Sequence, residues 1–206
     1  MAQQLKEEVR ERMTSAAEVV FAEAGYGGAT MAAIAREAGI STGNLYRYFG
    51  SKDDLFYAVF TDAFADELLD LLQRRVASLV QASDLTELDA DAAADGEALL
   101  SFWVAHREKV IVLLDGAAGS RFEGFARSFV DALMKPTAAH LRERVGNERL
   151  PAMVRFTLEN VFANTVRTIV AILRRYRTER HIREAFQAFW SYQLAGLAGL
   201  QEWVTE

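Results

Sequence analysis

The sequence contains no cysteine, which excludes disulfides and thiolate metal sites and removes any need for an oxidising compartment. It has two prolines, Pro136 and Pro151, so long stretches carry no helix breaker and favour an all-α protein. No stretch approaches the roughly 18 to 20 apolar residues that span a bilayer. The opening MAQQLKEEVRERM has no apolar core and does not resemble a signal peptide. We therefore expect a cytoplasmic protein without membrane attachment.

Catalytic signatures are also missing. The histidines His106, His140 and His181 are scattered and lack the spacing of metal ligands. The sequence has no P-loop, no nucleophile elbow and no dinucleotide-binding glycine pattern. The adjacent acids Asp53 and Asp54 stand at a predicted helix start, where they favour the helix dipole. We predict that the protein is not an enzyme and needs no cofactor.

The excess of acidic residues limits the ways in which the protein can bind nucleic acid. A net charge of −6 argues against wholesale coating of nucleic acid, although it leaves room for a small, well-aimed DNA-reading surface. Residues 1–56 carry six basic and eight acidic residues, a formal charge of −2. If this part binds DNA, we expect weak non-specific binding and a modest salt dependence.

Apolar residues recur at helical spacing through most of the chain and predict roughly nine helices. Glycines 25, 39 and 50 mark helix ends. Thr30, Ser41 or Thr42, and Ser51 with Asp54 suit helix starts. The acidic stretch 83–96 predicts a solvated loop, and Pro136 predicts a kink or break. The predicted helices cover residues 5–24, 30–38, 42–49, 52–82, 97–106, 107–114, 121–145, 152–178 and 181–204.

Residues 30–49 have the layout of a helix-turn-helix, in which a tight, glycine-containing turn joins two short helices. The first helix is TMAAIAREA, the turn is Gly-Ile-Ser at 39–41, and the second helix is TGNLYRYF. Ile34, Ile40 and Leu45 are expected to form the buried contact between the helices, and Ala35 is small where they cross.

The second of these helices is too polar for a core helix. Its hydroxyl, amide and guanidinium groups suit phosphate contacts, which make up half or more of protein–DNA hydrogen bonds. Gly43 lets a backbone approach DNA closely, and Arg47 and Lys52 add positive charge with no acid between residues 40 and 51. From spacing alone, a merely structural helical pair remains as plausible as a DNA-binding one.

The segment GYGGATMAAIAREAGISTGNLYRYFGSKDDLFYAVF resembles the signature of TetR-type transcriptional regulators. The resemblance covers about the first 60 residues. It implies a dimer that places one short recognition helix per subunit in the major groove. It also implies that either Tyr48→Ala or Lys52→Ala weakens operator binding while the fold and dimer stay intact. By matching position, the DNA-contacting residues are expected to be Thr30, Ser41, Thr42, Gly43, Asn44, Tyr46, Arg47, Tyr48 and Lys52, with the role of Arg47 open between phosphate and base contact.

The C-terminal helices carry apolar residues on more than one face, more than a single core contact requires. Pairing of 152–178 and 181–204 with a second copy would bury the extra face, although burial within one subunit is an alternative. The resemblance implies that an effector binds among the middle helices. The candidate ligand-binding residues are Trp103, His106, Phe125, Phe129, Asn160 and Asn164, although an aromatic stripe can equally be plain core.

Together these features predict an all-α protein with two domains: a three-helix DNA-binding domain at 1–51, and a helical ligand-binding and dimerisation domain at 52–206. We expect a regulator, most simply a repressor, that binds double-stranded palindromic operator DNA as a homodimer. A small apolar or aromatic effector is expected to release it through a continuous helix 52–82. An activator, a protein-interaction dimer without DNA binding, and an enzyme built in the aromatic body are the alternatives.

Overall fold

The computed structural model describes residues 2–82, 85, 90–146 and 149–205, and the regular elements within these ranges are helical. The predicted all-α class is confirmed. In chain order the elements are α1 (Ala2–Gly28), α2 (Met31–Glu37), α3 (Thr42–Tyr48), α4 (Lys52–Val59), α5 (Asp62–Gln81), α6 (Ala90–Ala105), α7 (Arg107–Ile111) with a π-helical turn (Val112–Gly116), α8 (Phe125–Val145), α9 (Ala152–Arg175) and α10 (Glu179–Thr205).

The chain forms two compact units. The first comprises residues 1–65 together with 108–125, and the second comprises 66–107 together with 126–206. The N-terminal unit therefore recruits a segment from the middle of the chain, namely α7 after its first residue, the π-helical turn and the residues that follow it. The predicted functional boundary after residue 51 is a separate matter and stays a prediction.

The first unit is built around three buried aromatic rings. Phe56 packs edge-on against Phe21 at 4.9 Å between ring centroids and stacks on Phe60 at 4.5 Å. Gly25 breaks the helical geometry of α1 with a φ of 68°, which a glycine adopts without strain. A Cβ at Gly25 would lie 3.4 Å from the carbonyl oxygen of Gly116, so the backbone of α1 passes close to the π-helical turn.

The prediction of one continuous helix over 52–82 is wrong. Helix α4 ends at Val59, and Phe60 leaves helical geometry with φ −101° and ψ 87°. Thr61 then caps α5, because its Oγ1 accepts a hydrogen bond from the amide of Phe64 at 3.2 Å. A buried Phe60 and a capping threonine therefore separate two helices. An effector mechanism that relies on an unbroken rod through this segment is accordingly withdrawn.

Two further boundaries differ from the sequence-based prediction. Helix α6 begins at Ala90, so the C-terminal part of the predicted acidic loop is helical, whereas residues 83, 84 and 86–89 lie outside the described residues. Helix α8 runs through Pro136 without a break. The proline N lacks a hydrogen to donate, but Thr137 Oγ1 donates to the carbonyl of Leu133 at 2.8 Å and adds a hydrogen bond beside it.

In the second unit, α10 packs against both α9 and α6. Leu158, Phe162 and Ile169 of α9 are buried, and Phe186 of α10 lies 4.8 Å from the Trp103 ring of α6. At the surface, Arg183 donates to Glu97 at 2.7 Å and joins α10 to α6. Of the helices described, none is both long enough and apolar enough to cross a membrane.

Candidate nucleic-acid interface and effector cavity

Local hydrogen bonds and a glycine with a positive φ define the start of α2 and the turn between α2 and α3. Thr30 Oγ1 accepts from the amide of Ala33 and starts α2. At the other end, Gly39 adopts φ 65°. Its amide donates to Arg36, and the amide of Ile40 donates to Ala35, which is the double hydrogen bond of a Schellman ending. The predicted cap and turn are confirmed, and they set where α3 begins.

Helix α3 is anchored by one side chain and displays the others. Leu45 is fully buried with Ile34 and Ala35 of α2. Tyr46 is 50% exposed. The remaining side chains of the helix are exposed or half-buried, as are Ser41, whose Oγ accepts from the amide of Asn44 at 3.2 Å, and Thr30. A Cβ at Gly43 would meet nothing within 4 Å, so the first turn of α3 has an open face.

Lys52, at the start of α4, is tied to the end of α1. Its ammonium donates to the carbonyls of Tyr26 at 2.7 Å and Ala29 at 3.3 Å, and lies 4.5 Å from the Tyr26 ring centroid. The Tyr26 hydroxyl in turn donates to Asp53. This hydrogen bond, with a smaller contribution from burial, raises the pKa of Tyr26 to about 12. Two of the three ammonium protons of Lys52 are thus engaged within the protein.

The first unit therefore belongs to the class of helix-turn-helix domains, with a short second helix that presents polar groups on an open face. Residues 14–59 match the family of bacterial regulatory proteins of the tetR type. Over these residues the resemblance stated from the sequence is confirmed.

Curated transcriptional regulators align with about a quarter of the chain. The transcriptional regulator HbdR of Aromatoleum sp. (strain CIB) is 51% identical over 53 residues, which are 26% of this chain and 23% of HbdR. The regulator BetI of Burkholderia ambifaria is 45% identical over 56 residues, 27% of this chain and 29% of BetI. The alignments span about a quarter of the length of each relative.

One solved structure is similar over nearly the whole chain. A TetR-like transcriptional regulator from Rhodococcus sp. RHA1 superimposes with a TM-score of 0.53 and covers 93% of this chain and 96% of its own. At 24% sequence identity, this similarity concerns the fold.

A cavity of about 110 Å³ lies within the second unit. Its size is comparable to cavities on the order of 150 Å³ that accept a single aromatic ring. The wall is mostly apolar, with residues such as Leu72, Leu99, Phe129, Phe162 and Ile169. Six polar side chains also line it: Arg75, Thr137, His140, Thr165, Gln193 and Gln201.

Of the six candidate ligand-binding residues, Trp103 and Phe129 line this cavity. The other four do not line it, and their part in ligand binding stays a prediction. His106 packs its ring on Phe102 at 4.7 Å, and Phe125 is buried at the edge of the first unit. Asn160 and Asn164 lie on the exposed face of α9, where the amide of Asn160 donates to the carbonyl of Phe156 on its own helix at 2.8 Å.

The residues that sequence reasoning missed are the polar ones of the cavity. Thr165 and Gln193 interrupt apolar helices and meet there, with Gln193 Nε2 donating to Thr165 Oγ1 at 2.8 Å. Each breaks an apolar period, which is a usable signal. No such signal marks Arg75 in the sequence, because an arginine on an amphipathic helix is normally solvated. In the structure, however, Arg75 is only 6% exposed.

Proposed function

We propose that the protein is a ligand-responsive transcriptional regulator, a repressor that binds palindromic operator DNA as a homodimer. The observation that carries this proposal is the α3 surface, where Leu45 alone is buried and an open polar face remains. A helix that served only to complete a core would bury more than one of its side chains.

The surface proposed to meet DNA comprises the capped start of α3 and its exposed side chains. Free amide groups at the first turn and the positive end of the helix dipole favour phosphate oxygens. Tyr46 and Arg47 reach outward, and Thr30 lies exposed at the start of α2. The proposed contacts are Thr30, Ser41, Thr42, Gly43, Asn44, Tyr46, Arg47, Tyr48 and Lys52, of which Lys52 has one ammonium proton left for a phosphate.

Dimerisation is proposed through 152–178 and 181–204. Helix α9 exposes Met153 at 66% and Phe156 at 62%, and α10 exposes Tyr192 at 80% and Trp203 at 59%. Between the last two, Ala195, Gly196 and Gly199 are exposed, and small residues permit close helix approach. Two-fold pairing that covers these faces would present two copies of α3 to one side of a duplex, with a separation near one helical turn, about 34 Å.

The cavity of the second unit is proposed as the effector site. Its wall is apolar with a few placed polar groups, the usual composition of a small-molecule site. A small apolar or aromatic effector lowers operator affinity if it binds the geometry that does not fit DNA more tightly than the one that does.

DNA binding is tested by gel shift with palindromes from the region upstream of the protein's own gene. Arg47→Ala and Tyr46→Ala are expected to weaken operator binding about tenfold or more, since a good base or phosphate contact contributes about 1–3 kcal/mol. Arg142→Ala, an equally exposed arginine on α8, is the charge-matched control and is expected to bind as wild type. A folded wild-type dimer that binds none of these palindromes would refute the proposal and favour a protein-interaction role.

The dimer surface is tested with a matched pair of substitutions. Ala195→Arg places a charge on the exposed face of α10, and Ala77→Arg places the same charge on the exposed face of α5. Sedimentation is expected to show a monomer for the first variant and a dimer for the second, with equal helicity in both. A dimer that survives Ala195→Arg would locate the interface elsewhere.

A further inference from the structure

The polar side of the cavity contains a buried positive charge. Arg75 is 6% exposed and projects from α5 into the cavity wall. Its Nη1 donates to the carbonyl of Ala92, which is its one hydrogen-bond acceptor among the described residues. A guanidinium has five N–H donors, so most of them have no acceptor among the residues that the structure describes.

Such a charge is costly to keep out of water. Burial lowers the pKa of Arg75 from its ordinary value, and the nearby carboxylate of Asp95 opposes that effect. An arginine still remains protonated in proteins, so the cost appears as lost stability rather than lost charge. An anion inside the cavity would remove much of this cost.

Helix α6 has a gap that fits the guanidinium. A Cβ on Gly96 would lie 3.1 Å from Arg75 Cζ and 3.2 Å from Nη1, closer than ordinary packing allows. A glycine within a helix is less favourable than an alanine, so the space for the guanidinium comes at a cost to helix stability. Arg75 also contacts the ring of Trp190 on α10, whose centroid lies 5.7 Å from Arg75 Cζ.

A second unsatisfied donor lines the same cavity. Trp103 is 2% exposed, and its buried Nε1 has no hydrogen-bond partner within the part of the chain that the structure describes. Buried donors of this kind are rare, and each needs an explanation. The Trp103 and Trp190 ring centroids are 6.1 Å apart, so Arg75 and Trp103 both border the same indole ring.

We propose that the cavity binds an anionic amphiphile, with a carboxylate that accepts hydrogen bonds from Arg75 and Trp103. The apolar body of the ligand lies against side chains such as Phe129 and Phe162. A carboxylate has two oxygens with lone pairs for a guanidinium and an indole N–H at once, and charged pairs of this kind form the stronger hydrogen bonds. As an assignment of effector class, this inference rests on the proposed function of the cavity as the effector site.

The test compares acids with neutral ligands of equal shape. Benzoate and hexanoate, with benzamide and hexanamide, are titrated calorimetrically into the full chain. The acids are expected to bind at least tenfold more tightly than their amides. Equal affinity of acid and amide, or no binding of either acid at millimolar concentration, would overturn the inference.

Three variants test which side chains cause the preference for the acid over the amide. Arg75→Met retains the apolar stem and is expected to abolish the preference for the acid without lowering the melting temperature of the free protein, because a buried unpaired charge is removed. Trp103→Phe retains a ring without the N–H and is expected to weaken binding of both acid and amide several-fold. Arg107→Met is the control, since this equally buried arginine donates to the carbonyl of Leu173 at 2.8 Å and does not line the cavity. A preference for the acid that persists in Arg75→Met would overturn the assignment.

Operator release separates this inference from the proposed function. If the acids bind as expected while no palindrome is bound, the repressor proposal fails and the ligand class stands. If operator is bound and the acids are not, the repressor proposal stands and the ligand class fails. If the protein binds both operator and the acids, benzoate or hexanoate is expected to release the wild-type protein from operator. The Arg75→Met variant is expected to stay bound to operator.

Discussion

Replacement of Lys52 by methionine is the sharpest test of how the first unit is held together. The substitution retains the unbranched stem and removes the ammonium that joins α4 to the end of α1. Two carbonyls lose their donor: that of Tyr26, now 2.7 Å away, and that of Ala29, now 3.3 Å away. The contact with the Tyr26 ring at 4.5 Å is lost as well.

The expected loss follows from these three contacts. A hydrogen bond from a charged donor contributes about 1.5–3 kcal/mol, and the 3.3 Å bond contributes less than the 2.7 Å bond. A partly exposed cation–π contact adds about 0.5–1 kcal/mol. Since Lys52 is half-buried and partly screened, we expect the free energy of unfolding to fall by about 2 kcal/mol. The expectation from sequence that the fold and dimer stay intact in Lys52→Ala remains a prediction.

The assay is urea unfolding followed by circular dichroism at a fixed protein concentration. Lys6→Met is the control, since Lys6 is exposed on α1 and its loss changes the net charge equally. It is expected to alter stability by less than about 0.5 kcal/mol. If Lys52→Met were as stable as Lys6→Met, the stabilising role of the Lys52 ammonium would be refuted. Lys52 would then be left with its proposed DNA contact as its role.

Three further outcomes are expected. Gly25→Ala should lower the free energy of unfolding by about 1–3 kcal/mol because of its positive φ, whereas Gly27→Ala, with open space around it, should stabilise slightly in the same urea assay. Because the pKa of Tyr26 is raised to about 12 from about 10 in the unfolded chain, its contribution to stability is complete below pH 10 and is lost between about pH 10 and 12. Wild type should therefore lose more stability than Tyr26→Phe over that interval, and parallel pH curves would contradict the link to Asp53. Operator affinity should fall only modestly with salt, because residues 1–56 carry more acids than bases. A slope of about −10 in a plot of the logarithm of the binding constant against the logarithm of the salt concentration would contradict this.

The class of fold and the helix-turn-helix segment were predictable from sequence because they depend on local interactions. Thr30, Ser41 and Gly39 act on backbone groups three to five residues away, so their side-chain chemistry already sets where α2 and α3 start and stop. The same local logic was available at Thr61, whose hydroxyl caps α5, but the apolar period that crosses it concealed the break.

The cavity of the second unit was not predictable in this way, because it depends on helices far apart in sequence. Asn160 and Asn164 share a helical face, as their spacing indicates, but the packing of α9 turns that face outward and turns Thr165 inward. Arg75 looks like a solvated residue of an amphipathic helix until α6 and α10 close around it with Gly96 and Trp190. Sequence by itself determined the all-α class and the start and end of α2 and the start of α3, since those follow from neighbours along the chain. Tertiary structure alone decided which polar groups lost their water, since burial is a property of several helices at once.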